Sequence, residues 1–228
     1  MEEKKHIGQL FDRIADSYDG LNHVLSLDID KIWRRKTVMA LQPSDHVLDV
    51  CIGTADLTIT MLRSGRVGRV TGLDLSDKMM EIGRAKCEKR HLKVDFIHGN
   101  AQAMPFEDES FDAVTCAFGC RNFQDLDAGL REMYRVLKKG GQLVILELSY
   151  PENRLIRAFY DLYFTHILPV VGRLLSRDKT AYTYLNRSVK HFCWGEVFLS
   201  HLTQAGFTSA QYKPLSLGIA TLYTAGKV

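Results

Sequence analysis

Through the middle of the chain, short β-branched apolar runs alternate with stretches whose apolar residues recur every three to four positions. The runs predict strands over 46–50, 69–73, 94–98, 113–117 and 142–148, and the stretches between them predict helices over 57–63, 77–90 and 127–137. In the last of these, Leu126, Leu130, Met133, Tyr134 and Leu137 share one helical face, and Gly140-Gly141 predicts its stop. A helical pattern covers 7–35 ahead of the first strand, and two strand-like runs, 208–213 and 218–225, close the chain. Alternating units finished by a pair of strands predict an α/β fold. It is a Rossmann-like, seven-stranded, mostly parallel sheet with helices on both faces and a C-terminal antiparallel hairpin.

At 228 residues, with 46% hydrophobic and 25% charged, this reads as one globular domain. Residues 1–36 are expected to form a helical lid and 151–193 a helical insertion. Thirty Lys+Arg against 27 Asp+Glu leave a surplus of +3, too even for a dedicated nucleic-acid binder, so no nucleic-acid partner is expected. Five cysteines form no CxxC pair, which predicts free thiols in a reducing cytoplasm and no metal site. Neither a leader nor a membrane-span-length apolar window is visible. The expectation is a cytoplasmic protein; homo-oligomerisation stays open.

In an open parallel sheet, ligands bind beyond the carboxyl ends of the strands. The first predicted strand runs into Asp49-Val50-Cys51-Ile52-Gly53-Thr54-Ala55-Asp56-Leu57, where Gly53 permits a tight turn before a helix. This loop lacks the GxGxxG that bares backbone for a pyrophosphate, so a phosphate-bearing cofactor is disfavoured. Asp74, about 20 residues on, stands where a carboxylate can accept from both ribose hydroxyls of an adenosine. Asn100, after the third strand, could bond the adenine edge. An adenosine without phosphates points to S-adenosyl-L-methionine: its sulfonium suits Asp49 and its carboxylate the free N–H groups of the next helix. Taken singly, each residue has a plainer role, Asp49 and Asp74 as caps and Asn100 as a loop turn.

Longer motifs are more specific. They are Phe11-Asp12-Arg13-Ile14-Ala15-Asp16-Ser17-Tyr18-Asp19 followed by Asn22, then Leu48-Asp49-Val50-Cys51-Ile52-Gly53-Thr54, then Ala117-Phe118-Gly119-Cys120-Arg121-Asn122. Leu130-Arg131-Glu132-Met133-Tyr134-Arg135-Val136-Leu137-Lys138, Ala181-Tyr182-Thr183-Tyr184-Leu185 and Ala205-Gly206-Phe207 complete the set. With these the chain resembles, almost end to end, the menaquinone/ubiquinone C-methyltransferase family, a branch of the class I S-adenosylmethionine-dependent methyltransferases. The resemblance implies cofactor contacts at Thr54, Asp74, Asn100 and Ala101, with Ala117 at the fourth strand's end, and Gly53 is expected to bring its backbone close to the same ligand. Two departures stand out. Ala55 replaces a glycine of the family's GTGD, which matters only if that position needs a positive φ, and Ala117 stands where some relatives carry serine.

The implied reaction is C-methylation of a prenylated hydroquinone such as demethylmenaquinol. The alternatives are the benzoquinol of ubiquinone synthesis, an O- or N-methyltransferase and, from another class, a non-catalytic scaffold to which only Ala55 points. A ring carbon attacks well only beside an ionised hydroxyl, and ionising a phenol of pKa near 10 at neutral pH costs about 4 kcal/mol. Arg121 is expected to stabilise that phenolate and to order a water that takes the proton, and Asn122 to orient the hydroxyl. Alternatively, Arg121 pairs with a carboxylate and Asn122 caps the helix near 125. Tyr18 and Asn22 belong to the lid. The apolar 155–171 segment is expected to roof the prenyl tail. From 151 to 190, seven Lys/Arg face three Asp/Glu, which with the tail predicts a transient peripheral contact at the inner face of the membrane.

Overall fold

The computed structural model describes residues 7–167 and 179–228, with side chains at all of these but 17, 21–25, 164, 167 and 179–183. The Asn22 side chain and the 155–171 segment beyond 167 therefore lie outside the described residues.

Helices α1 (Ile7–Ser26) and α2 (Ile29–Ala40) precede β1 (Ser44–Val50), α3 (Asp56–Arg63), β2 (Val67–Asp74), α4 (Asp77–Glu88), β3 (Val94–His98) and β4 (Phe111–Ala117). A short 3-10 turn at Cys120–Asn122 leads to α5 (Leu126–Val136) and β5 (Leu137–Leu148). Helix α6 (Arg154–Leu162) runs on into a π-helical turn at Tyr163–Ile167. Then come α7 (Lys179–His191), α8 (Glu196–Gln204), β6 (Thr208–Leu215), a 3-10 turn at Ser216–Gly218 and β7 (Ala220–Gly226). The strands form one sheet in the order β3-β2-β1-β4-β5-β7-β6. β1 to β5 run parallel, while β7 is antiparallel to both β5 and β6, the expected final hairpin.

Strand alternation sends neighbouring side chains into two cores. Leu48, Val50, Val114, Leu143 and Ile145 pack with Leu130 and Met133 of α5 and Phe198 and Leu202 of α8. On the other face, Val47, Val70, Val144 and Leu146 pack with Trp33 and Val38 of α2 and Leu57 and Met61 of α3. Burial on both faces is why these strands read as continuous apolar runs. Strand order reverses beside β1, so the loops leaving β1 and β4 flank the crevice where such sheets hold ligands.

Three expectations shift. The pattern over 7–35 is two helices, not one, because Leu27 and Asp28 take left-handed φ of 51° and 63° and turn the chain. α5 stops at Val136, before Gly140-Gly141. Leu137 is already extended and pairs with Phe111, and Lys227 Nζ donates to the Tyr134 and Leu137 carbonyls at the helix end. The glycines instead serve a bulge: Phe111 pairs with Leu137 but Ala113 with Gln142, and Gly140 sits at φ 76°. The segment after Leu162 leaves the α-helical register for a π turn.

Candidate active site

A cavity of about 390 Å³ opens at the carboxyl ends of β1 to β4 and is roofed by α1 through Ile7, Phe11 and Tyr18. Its floor is the β1 exit loop, where Cys51, Gly53 and Ala55 take φ of 58°, 52° and 64°. This coiling turns the Gly53 N–H toward β2, where it donates to Asp74 Oδ2 at 2.8 Å while Ser76 N–H donates to Oδ1 at 2.9 Å. Burial pushes the Asp74 carboxyl up from its ordinary value, and the backbone donors of Ser76 and Gly53 oppose the rise. Gly119 lets the β4 exit loop close against this floor: a Cβ there would lie 2.7 Å from Cys116 Sγ and from Cys51 Cβ.

Gly53, Asp74, Asn100, Ala101, Ala117, Tyr18 and Asn122 all line the cavity. So do the carboxylates Asp12 and Asp77, while no Lys or Arg is among the described lining residues. A wall with three carboxylates and no fixed cation suits a positively charged nucleoside and opposes one bearing phosphates. The residues present thus fit S-adenosylmethionine. Asn100, however, is exposed, and its Oδ1 accepts from the Gln102 N–H at 2.9 Å, the plainer loop-turn role.

Two expected contacts face elsewhere. Asp49 is buried beneath the loop, with Oδ2 accepting from Thr58 Oγ1 at 2.6 Å and Oδ1 from Thr115 Oγ1 at 2.9 Å. It lines no part of the cavity, because its strand position points into the core between β1, β4 and α3. Burial raises its pKa to about 6. Thr54 is also turned away: its hydroxyl donates to Asp19 Oδ1 at 2.5 Å and accepts from Lys86 Nζ at 3.3 Å. Both hold the loop's shape from behind.

A second cavity, about 550 Å³ and largely apolar, lies beside the first. It is walled by Ile29 and Trp33 of α2, Leu148, Ile156 and Tyr160 around α6, and Leu217 and Ile219 before β7. The two linings share two residues, Tyr18 and Phe118. Arg121 lies on the apolar side and is buried. Its Nη1 donates to Glu147 Oε1 at 2.6 Å and to the Phe118 carbonyl, and its backbone N–H donates to Glu147 Oε2 at 3.1 Å. Glu147 and the other neighbours outweigh the desolvation that disfavours the guanidinium, so the Arg121 pKa is raised. The buried Nε has no hydrogen-bond partner among the described residues. The paired alternative for Arg121 is thus realised through Nη1 and the backbone N–H. Asn122 does not cap α5, since Asp125 does so by accepting from Ala128 N–H. Asn122 Oδ1 instead accepts from Tyr184 OH at 2.9 Å.

Residues 1–227 match the sequence model of the ubiE/COQ5 methyltransferase family. The chain belongs to this family. It is 44% identical to the demethylmenaquinone methyltransferase of Bacteroides fragilis over 99% of this chain and 94% of that protein. Identity to the Porphyromonas gingivalis enzyme of the same name is 44%, covering 97% and 92% of the two chains, and to that of Bacillus cereus 40%, covering 97% and 94%. Among solved structures, the [4+2]-cyclase SpnF superposes with a TM-score of 0.71 at 19% identity, covering 98% of this chain and 96% of that one. A S-adenosylmethionine-dependent methyltransferase from Thermotoga maritima superposes with 0.70 at 18%, covering 98% and 100%. These two share the fold.

The spacing of residues in this methyltransferase does not reveal what fastens α1 over the cavity. Lys86 of α4 donates to Asp19 of α1 at 2.7 Å and to Asp56 at the start of α3. Farther along α1, Asp12 Oδ1 accepts from Ser76 Oγ at 2.6 Å. α1 is thereby pinned to the loops after both β1 and β2, and nothing in the spacing of Asp12, Asp19 and Lys86 announces it. Glu147 was missed too, although it left a trace: a lone carboxylate in the run Val144-Ile145-Leu146-Glu147-Leu148, doubly buried, requires a partner.

Proposed function

We infer that the chain transfers the methyl group of S-adenosylmethionine to a ring carbon of demethylmenaquinol, giving menaquinol. The observation that carries this is the junction of a polar cavity, acidic among its described residues, and an apolar cavity at Tyr18 and Phe118, with the buried Arg121 lining the apolar one. When bound, S-adenosylmethionine supplies an electrophilic methyl group. Tyr18 and Phe118 would form the aperture through which ring carbon and methyl meet, and would exclude water from it.

Arg121 is the residue we assign to the ring oxygen. Because Glu147 already balances its charge, Arg121 acts as a directed donor more than as a free cation, and Nε and Nη2 supply the N–H groups outside its bonds to Glu147 and Phe118. A donor held in a dry pocket reduces the roughly 4 kcal/mol cost of ionising the ring hydroxyl. Tyr184, bonded to Asn122, fixes the amide that would orient the ring. Gly53, Asp74, Asn100, Ala101 and Ala117 are assigned to the cofactor side, with Asp49 and Thr54 supporting the loop. The apolar lining suits a prenyl tail, and a tail of several isoprene units keeps its substrate in the bilayer. A transient peripheral contact with the membrane belongs to this reading.

The test is turnover with a short-tailed demethylmenaquinol and mass spectra that locate the new methyl. Methylation on ring carbon is expected. Methyl on oxygen, a preference for the benzoquinol, or no turnover despite cofactor binding would overturn the reading. Arg121→Ala is expected to lower turnover by a factor on the order of 100, with S-adenosylhomocysteine affinity near that of the parent. Since a lone Glu147 would be buried without its partner, an Arg121→Ala/Glu147→Ala pair accompanies it and is expected to lose turnover equally.

A further inference from the structure

We propose that α2 forms the centre of a face that docks on an anionic phospholipid bilayer and sets the mouth of the apolar cavity against the lipid. The inference rests on the quinol reading, because a prenyl tail is what calls for a bilayer.

Helical spacing gives α2 three faces. Ile29, Asp30 and Trp33 line the apolar cavity. On the next face, Lys31, Arg34 and Arg35 line a separate groove of about 610 Å³, whose wall carries seven basic side chains against Asp19 and Asp56. The third face is solvent-exposed and bears Ile32, 49% exposed, Lys36, and Met39, 76% exposed. Arg34 belongs to both linings, so α2 is the ridge between groove and cavity.

Charge and apolarity each select the same occupant. The whole chain carries a surplus of only +3, so a groove with five more basic than acidic residues holds charge that the rest of the molecule lacks. Lys31, Arg34 and Lys86 are engaged with aspartates, Lys31 with the exposed Asp28, while Arg35, Arg63 and Lys89 extend into solvent. Around the other flank, Leu27 at 76%, Phe159 at 72%, Leu162 at 53% and Leu217 at 74% exposure come from three separate segments to ring one cavity mouth. A cationic groove alone would fit any polyanion. Cations beside a ring of exposed leucine and phenylalanine fit a headgroup layer above an acyl layer. Cationic positions on α2 and its neighbours, rather than the 151–190 stretch alone, then carry the electrostatic attraction.

The experiment is vesicle flotation of the full chain with phosphatidylcholine alone and with about one third phosphatidylglycerol. Binding to the anionic vesicles is expected to exceed that to neutral ones at least about tenfold, and to fall away near 0.5 M salt. A Lys31→Glu/Arg35→Glu variant is expected to drop to the neutral level, and Ile32→Ser to weaken binding severalfold. Neither should change turnover of a soluble short-tailed quinol, whereas both should slow turnover of a long-tailed quinol embedded in vesicles. Equal flotation on both lipids, no flotation, or flotation untouched by the charge reversal overturns the proposal. So does a dimer in light scattering that Ile32→Ser dissolves, which would assign the face to a second copy. Failure of the short-tailed quinol to turn over would instead strike the functional reading, leaving the flotation result to be judged separately.

Discussion

Asp49 is a carboxylate held almost dry by its fold, and that has a consequence for stability. Unfolded, it releases its proton near 3.8; folded, only near 6, because burial outweighs the hydroxyls of Thr58 and Thr115. Between those values the unfolded chain has lost a proton that the folded chain keeps. Stability therefore falls as pH rises through the window and levels off above it. The gap corresponds to about 3 kcal/mol. Asp49→Asn is expected to gain up to about that much over the parent at pH 8 and nothing at pH 4, read from urea unfolding at both; a difference that ignores pH would show that burial is not the cause. Ala55 poses the opposite case. Its φ of 64° answers the question its sequence left open, since the position does favour glycine. An L-residue there costs about 1–2 kcal/mol. Against this stand about 0.8 kcal/mol for the buried methyl and about 0.5–1 kcal/mol for glycine's greater chain freedom. Ala55→Gly should thus move unfolding stability by less than about 1 kcal/mol either way, measured by thermal melts of the ligand-free chain. At this scale residue type was legible but direction was not. Asp49 and Thr54 stand on the β1 exit loop as expected, yet a one-dimensional motif does not say which side of the loop a side chain takes.

Between elements, the strands were the readable part. Five strand-like runs became five parallel strands; burial on both faces marks β1, β4 and β5 most plainly, while β3 at the sheet edge has no fully buried residue. Junctions were not, for they depend on partners remote in sequence. Lys227 decides where α5 ends, and two consecutive left-handed residues decide where α1 gives way to α2. The seating of α1 over the polar cavity is a junction of this kind. Its fastening by Asp19 to Thr54 and Lys86 couples α1 to the β1 exit loop. Lys86→Met removes the cation that Asp19 and Asp56 share, leaving two carboxylates to repel one another. The expected result is roughly tenfold weaker S-adenosylhomocysteine binding by calorimetry, about 1.4 kcal/mol, with the melting temperature lowered by only a few degrees. Unchanged affinity would mean that α1 roofs the cavity without being tied to its occupant.

For the molecule as a whole, the decisive arrangement is two cavities of opposite character that share Tyr18 and Phe118. No sequence pattern announces it, since the apolar cavity draws on α1, α2, α6 and the turn before β7, elements far apart along the chain. Each side rests on something firm. Phe118 lies near Trp33 and under the Arg34 guanidinium, and Tyr18 meets Phe11 edge to face. A ligand in the polar cavity that presses Tyr18 into place also completes the wall of the apolar one, so each ligand should tighten the other by the same factor. We expect S-adenosylhomocysteine to raise the affinity for a short-tailed quinol analogue by about 5- to 20-fold, within the usual range for coupled sites. Tyr18→Ala should abolish that factor while each ligand alone still binds, because the other lining residues remain. Titrations of each ligand in the presence and absence of the other measure this directly. A coupling that survives Tyr18→Ala would move the linkage to Phe118, and no coupling in the parent would make the two cavities independent sites that share only a wall.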